Sequence, residues 1–296
     1  MSATSQLSVR GDTACDRLLF IGGSLAVRVG ENKARAESRF DIPAGSVFDA
    51  RHFMNACCLQ GDATVAATWS AVLGAERAAA LITDPPYCLL TRRRKGGDLR
   101  DPKGRKLDAG PVRRFETVRD YRAFTRAWMA HAVRALTEQA PLVIWTNLLG
   151  KEPITTAARE LGWTHCRGEF IWGKRTREGN SGEEILRVVE TALVFTRTPA
   201  PSPTAADAAT PWSVVAGYDD DGEGARWGNH PNHKPFRVLE PLIRSWSRPG
   251  DLVIDPFAGS GSIPVVAVRL GRRSVCFELE AEWAARTNER LAQTQV

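Results

Sequence analysis

The stretch Leu81-Ile82-Thr83-Asp84-Pro85-Pro86-Tyr87 constrains this chain more than any other. Ala78 to Ile82 is a short apolar run of the kind that forms a buried parallel strand. Two prolines then end it. Pro85 and Pro86 fix φ and carry no N–H, so the chain must leave the sheet there in a rigid, extended form. That places a carboxylate (Asp84), backbone carbonyls freed from the ladder and an aromatic ring (Tyr87) at the carboxyl edge of a sheet. Open α/β sheets bind ligands at that edge. A flat, amine-bearing ligand suits such a corner: the ring can stack on it while Asp84 and a carbonyl accept hydrogen bonds from its NH2.

A second corner lies late in the chain. Leu252-Val253-Ile254-Asp255 reads as a strand, followed by Pro256-Phe257-Ala258-Gly259-Ser260-Gly261-Ser262 and a helix to Leu270. Ser274 to Leu279 is the next strand, and Ala281 to Ala292 a closing helix. Strand, Gly-rich turn, helix and a strand with an acidic end is the layout of a nucleoside-binding βαβ unit. Gly259 and Gly261 let the backbone approach a ligand and expose N–H groups at a helix start, where a carboxylate is stabilised. Glu278 is placed to accept from two ribose hydroxyls. The turn lacks the third glycine of the dinucleotide fingerprint and is no Walker loop, so NAD and ATP fit it poorly.

Other elements fill in an α/β alternation. Leu18 to Ile21 and Ser24 to Val29 look like edge strands. Ala56 to Leu59 is an apolar strand ending in Gln60-Gly61-Asp62, with Asp62 placed to cap a helix over about 63–75. Tyr121 to Leu136 has apolar residues at helical spacing. Leu142 to Trp145 is a strand, and Lys151 to Leu161 a helix stopped by Gly162. His165–Trp172 and Thr191–Thr196 read as an antiparallel pair. Residues 197–229, rich in Pro and Ala and carrying Asp219-Asp220-Asp221-Gly222-Glu223, form a long irregular insertion whose acidic run reads as a solvated face. His230-Pro231-Asn232-His233-Lys234-Pro235 then opens a helix running to about Trp246. His230 and His233 flank a proline with no third ligand nearby, so no metal is expected. Trp145, Trp163 and Trp172 read as core.

Charge points to the partner. Between Arg92 and Arg114 stand ten basic residues against three acidic ones, within a chain of net charge +6. Arg92, Arg93, Arg94, Lys95, Arg105 and Lys106, directly after the Asp84 corner, suit a polyanion such as a nucleic-acid phosphate backbone. The six cysteines show no CxxC pair and no metal spacing, so they read as reduced thiols. The polar first residues and the lack of any apolar run near ~18 residues point to a cytoplasmic protein with no membrane partner.

Asp84-Pro85-Pro86-Tyr87 early and Asp255-Pro256-Phe257-Ala258-Gly259-Ser260-Gly261 late, in that order, resemble the circularly permuted β class of S-adenosylmethionine-dependent DNA amino-methyltransferases. The resemblance covers roughly residues 56–292. It implies an α/β, Rossmann-like class I methyltransferase fold, with a mostly parallel seven-stranded sheet, one antiparallel strand and helices on both faces. Residues 1–55 are then an N-terminal extension with edge strands. Residues 56–296 are the methyltransferase domain, with a basic loop over 88–117 and a small target-recognition insertion over 197–229.

The same resemblance implies site roles. Asp84, Pro85, Pro86 and Tyr87 match the catalytic motif, and Asp84 is counted among the cofactor-binding residues as well. Asp255, Phe257, Gly259, Ser260, Gly261 and Ser262 match the S-adenosylmethionine loop, Glu278 the ribose acid and Gly61-Asp62 a short cofactor-contacting motif. His230, Asn232 and Lys234 fall in a His-Pro-Thr-Gln-Lys-Pro-like segment, with Lys234 as partner of the methionine carboxylate. Asn232 and His233 replace that segment's Thr and Gln. The expected reaction is methylation of the N6 amine of a flipped-out adenine in DNA. N4-cytosine in DNA, an RNA base and an inactive DNA-binding relative are the alternatives. A homodimer and a cognate restriction nuclease are partners the resemblance leaves room for.

Overall fold

The computed structural model describes residues 18–21, 24–28, 37–41, 56–91, 113–175, 187–199, 213–216, 222–228, 230 and 232–294. Three short strands, β1 (Leu18–Ile21), β2 (Ser24–Arg28) and β3 (Glu37–Asp41), pair antiparallel in a sheet of their own. The remaining strands form the main sheet. They are β4 (Ala56–Gln60), β5 (Ala80–Thr83), β6 (Leu142–Thr146), β7 (His165–Arg175), β8 (Arg187–Thr196), β9 (Ser213–Ala216), β10 (Leu252–Asp255) and β11 (Arg273–Glu278). Their spatial order is β4-β11-β10-β5-β6-β8-β7-β9.

Only β8 runs against its neighbours among these strands. The expected seven strands with one antiparallel member are therefore present. Strand β9 adds an eighth at the edge, parallel to β7. It comes from inside the 197–229 insertion, which is thus not wholly irregular.

The central strands are buried on both faces, as parallel strands covered by helices must be. Alternate side chains go to opposite layers. Leu81, Leu142, Ile144 and Ile254 join one core with Trp69, Tyr121, Trp128, Met129 and Trp163. Ile82, Val143, Trp145 and Val253 join the other with Phe170, Leu239, Leu242 and Val266. The first layer is built by α1 (Ala66–Leu73), α2 (Val118–Ala135) and α3 (Lys151–Glu160), the second by α4 (Phe236–Trp246) and α5 (Ser262–Arg269). The last helix, α6 (Ala281–Ala292), covers the β4 side. Each fully buried large side chain contributes about 1.5–3 kcal/mol. Trp145, Trp163 and Trp172 are core residues, as expected.

Two helix starts differ from the sequence reading. Helix α2 begins at Val118, ahead of Tyr121, because Thr117 and Asp120 form a reciprocal capping box: Asp120 N donates to Thr117 Oγ1 and Thr117 N to Asp120 Oδ2. Helix α1 begins only at Ala66, and Asp62 does not cap it. The Asp62 Oδ1 accepts instead from the Thr64 N–H and hydroxyl, both at 2.8 Å, closing a local turn.

Strand order places the site. From β10 the chain proceeds to β11 on one side, whereas β5 leads to β6 on the other. The carboxyl ends of β10 and β5, adjacent and parallel, flank the point where this direction reverses. Ligands of open α/β sheets bind in that crevice. The two corners singled out in the sequence meet there. No described helix is long and apolar enough to cross a membrane.

Candidate active site

Thr83 and Asp255, the last residues of β5 and β10, tie the two corners together. The Thr83 hydroxyl donates to Asp255 Oδ1 at 2.6 Å, and the Phe257 N–H donates to the same oxygen at 3.1 Å. Asp255 is fully buried, and its Oδ2 has no partner among the described residues. Burial pushes its carboxyl up to about 7, against the pull of the Thr83 and Phe257 hydrogen bonds. Asp255 thus braces the start of the Gly loop from below.

A testable pH dependence follows. A folded-state pKa above the usual carboxylate value means that stability is present at low pH and lost as pH rises from about 4 through about 7. Asp255→Asn mimics the protonated acid. Its stability relative to the wild type is expected to rise across that window, measured by urea denaturation at about pH 5 and pH 8. An equal difference at both pH values contradicts this.

The Gly loop is tightly walled. Gly259 and Gly261 have φ of +52° and +77°. A Cβ on Gly259 would stand 2.9 Å from the His230 ring, and one on Gly261 2.8 Å from Thr287 Cγ2. The last helix holds the loop's carbonyls: Thr287 donates to Gly259 O at 3.1 Å and the buried Arg290 to Ser260 O at 2.8 Å. Arg290 also pairs with Glu223, at 3.2 Å. Glu223 is therefore no solvated charge, which corrects the reading of the acidic run at that residue. It anchors a helical turn, Glu223–Arg226, against the end of the chain.

Around the loop stand the other candidate cofactor residues. Ser260 and Ser262 are buried, with hydroxyls 3.0 Å apart, and both lie at His233 Nδ1, at 3.2 and 2.9 Å. His230 packs edge-on against Trp283, and its Nδ1 accepts from the Asn232 N–H. Burial, with His233 and Lys234 nearby, lowers its pKa to about 4, so the ring is neutral. The Phe257 ring turns towards Phe124 and Trp128. Glu278 accepts from Gly259 N at 2.8 Å through one oxygen and from Glu280 N at 3.1 Å through the other. Gly61, next to Asp62, donates to the Glu278 carbonyl at 2.8 Å, which brings the end of β4 beside that acid.

The second cluster surrounds Asp84. Lys234, only 3% exposed, donates to Asp84 Oδ2 and stands 3.1 Å from Glu190 Oε2 and 3.2 Å from the Tyr87 hydroxyl. It lies 4.9 Å from the Trp145 ring centroid and off the hydroxyl end of Tyr87, 5.5 Å from that ring's centroid. The Tyr87 hydroxyl donates to Glu190 Oε2 at 2.8 Å. Burial works against the Lys234 ammonium, but Asp84 and Glu190 outweigh it and raise its pKa. Burial also raises Asp84, with Lys234 opposing and Glu190 adding to the shift. The other Asp84 oxygen, Oδ1, is buried and has no hydrogen-bond partner among the described residues.

The structure therefore gathers Asp84, Tyr87 and Lys234 on one side of the crevice. Asp255, Phe257, Gly259, Ser260, Gly261, Ser262, Glu278 and His230 lie on the other, with Asp62 at its far end. Arg92, Arg93, Arg94, Lys95, Arg105 and Lys106 lie outside the described residues. No cluster of metal-ligating side chains occurs among the described residues.

The family model N6_N4_Mtase, described as DNA methylase, matches residues 78–289, a span that contains both corners. The chain belongs to this N6/N4 DNA methylase family. The putative methylase YubD of Escherichia coli (strain K12) is 45% identical over 67 residues, covering 23% of this chain and 30% of that protein. The type II methyltransferase M2.DpnII of Streptococcus pneumoniae is 43% identical over 67 residues, 22% of this chain and 25% of that one. The chain thus spans less than a third of the length of these curated relatives. Two solved structures share the fold. PvuII DNA methyltransferase (cytosine-N4-specific) aligns with a TM-score of 0.61 at 17% identity, over 82% of this chain and 88% of that one. The M1.HpyAVI–SAM complex aligns at 0.58 and 18%, over 80% and 98%.

Two residues of this methylase chain escape a reading of the sequence. Glu190 is one; the signal was a lone acid inside the apolar strand Val188–Val194. Leu279 is the other: directly after Glu278, at the end of β11, it is an exposed large apolar side chain.

Proposed function

We propose that the protein transfers a methyl group from S-adenosylmethionine to the N6 amine of an adenine flipped out of DNA. The observation that carries this reading is Asp84 Oδ1, a buried acceptor left open beside an aromatic ring while its partner oxygen is pinned by Lys234. An acceptor of that kind costs free energy unless a donor arrives, and the amine of a stacked base is such a donor. The Asp at the head of the motif favours adenine.

The other side of the crevice fits the cofactor. Gly259 and Gly261 form a cradle in which any side chain would collide with His230 or Thr287. Each Glu278 oxygen uses one site on a backbone N–H and keeps another for a ribose hydroxyl. Leu279 offers an apolar face for the cofactor's adenine, with Asp62 at the adjoining strand end. The resemblance assigns the methionine carboxylate to Lys234, but here that ammonium is already shared by two carboxylates. We assign it instead to Asp84. S-adenosylmethionine, when bound, supplies an electrophilic methyl on sulfur, and the electron pair of the broken bond stays on that sulfur.

The chain's own residues do the rest. The exocyclic amine is a poor nucleophile because its lone pair is shared with the ring. Asp84 Oδ1 and the Pro85 carbonyl accept its two hydrogens, concentrate the lone pair and stabilise the positive charge growing on nitrogen as the N–C bond forms. The surplus proton leaves along the bond to Asp84. Tyr87 stacks on the base, and the rigid Pro85-Pro86 turn fixes the alignment, from which much of the rate derives. A base inside a duplex cannot reach this corner, so it must be flipped out. The basic run from Arg92 to Arg114 holds the phosphates.

Gly259→Ala is expected to weaken cofactor binding about tenfold or more, through left-handed strain of about 1–2 kcal/mol and the collision with His230. A binding titration checks it, and unchanged affinity contradicts the placement. The polynucleotide is tested by offering duplex DNA, single-stranded DNA and RNA with methyl-labelled S-adenosylmethionine. Label in DNA is expected; label in RNA alone overturns the substrate reading.

A further inference from the structure

Four side chains from three separated segments interlock at the Asp84 corner. Tyr87 follows Asp84, Lys234 precedes α4, and Glu190 projects from β8, which runs antiparallel to β6 and β7 in the main sheet. The ammonium's three N–H donors match three acceptors at hand: Asp84 Oδ2, Glu190 Oε2 and the Tyr87 hydroxyl. The Tyr87 O–H is itself spent on Glu190 at 2.8 Å. A Lys–Asp pair alone would be neutral. Glu190, whose side chain is 10% exposed, adds a second carboxylate to the one ammonium of these four side chains. An extra buried carboxylate is costly, and apolar neighbours would have served the strand better. Its placement has two consequences. It shares the ammonium that would otherwise pair with Asp84 alone, so that Asp84 Oδ1 is the more basic acceptor. It also fixes the hydroxyl of the ring on which the base is to stack.

We propose that Glu190 is a positioning residue for methyl transfer, setting both the orientation of Tyr87 and the charge available at Asp84 Oδ1. It touches neither base nor cofactor, and acts through Tyr87 and Lys234. This rests on the functional reading above.

Glu190→Gln keeps the size and an oxygen that can accept from Tyr87, but removes the charge. The expected result is a kcat lower by about 10- to 100-fold, with KM for DNA and cofactor affinity close to the wild type. The pH profile gives a readout that a merely structural role would not move. The groups facing Asp84 are Lys234, Glu190, Tyr87, Asp255 at the end of β10 and Tyr121 on α2. Glu190 is the like charge that raises Asp84 in this cluster. Removing it lowers the Asp84 pKa, so the acidic limb of the rate profile is expected to move to lower pH. Glu190→Asp, which restores the charge, should bring the limb back. A limb that stays in place in Glu190→Gln, or a kcat equal to the wild type, overturns the proposal. Should that variant not fold, Tyr87→Phe cuts the same link from the other side, and an undiminished kcat there overturns it equally. A wild type that methylates no nucleic acid speaks against the functional reading. An active wild type with an indifferent Glu190→Gln speaks against this inference alone.

Discussion

Asp84→Asn is expected to lower methyl transfer about 10²–10³-fold while S-adenosylmethionine affinity stays within about threefold of the wild type. The substitution keeps the shape of the corner. It replaces one carboxylate oxygen with an NH2 group, which offers donors where the base needs acceptors, and it removes the anion that stabilises charge on the amine nitrogen. Lys234 still has Glu190 as a counter-charge at 3.1 Å, so the fold should persist. Single-turnover transfer of labelled methyl measures the first effect and a binding titration the second. Transfer within about tenfold of the wild type contradicts the role given to Asp84.

The second large effect is on stability. Lys234→Met leaves Asp84 and Glu190, 11% and 10% exposed, without the ammonium that joins them. Removing one partner of a buried ion pair costs about 3–5 kcal/mol. In a domain of this size that lowers Tm by roughly 6–20 °C. In the wild type, Asp84 and Glu190 raise the Lys234 pKa above its usual value, so the stability it contributes holds through neutral pH and is lost only as pH climbs past the ordinary lysine range. In the variant the sign changes. The two carboxylates, no longer neutralised, are pushed up, so the loss should be mild near pH 5 and grow as pH rises and both must ionise. A Tm within about 2 °C of the wild type at pH 8 contradicts the buried-cluster account.

Much of this site was legible in the sequence because its parts are local. Pro85-Pro86 stops a strand wherever it occurs, and a Gly-x-Gly between an apolar strand and a helix needs the same backbone in any context. Parallel strands buried on both faces are near-continuous apolar runs, so β5, β6 and β10 could be placed within a residue or two. What stayed hidden depends on register and on long-range contact. Nothing local says that Glu190 faces Tyr87, because that follows from the antiparallel pairing of β8 with β6. Nor does the chain around Lys234 show that its ammonium turns to Asp84. Asp62 looked like a helix cap, yet Thr64, two residues on, competes for its carboxylate and wins. Strand β9 sits in a stretch rich in Ala and Pro that carries little apolar pattern. Its place depends on the exposed edge of β7.

The most direct measurement is the mass of the nucleosides released from duplex DNA after incubation with the wild-type protein and S-adenosylmethionine. N6-methyladenine is the result expected from an Asp84 corner that takes a flipped adenine. N4-methylcytosine would contradict the adenine assignment while leaving the methyl-transfer chemistry in place. DNA without any methylated base, from a protein shown to bind the cofactor, would contradict the central claim.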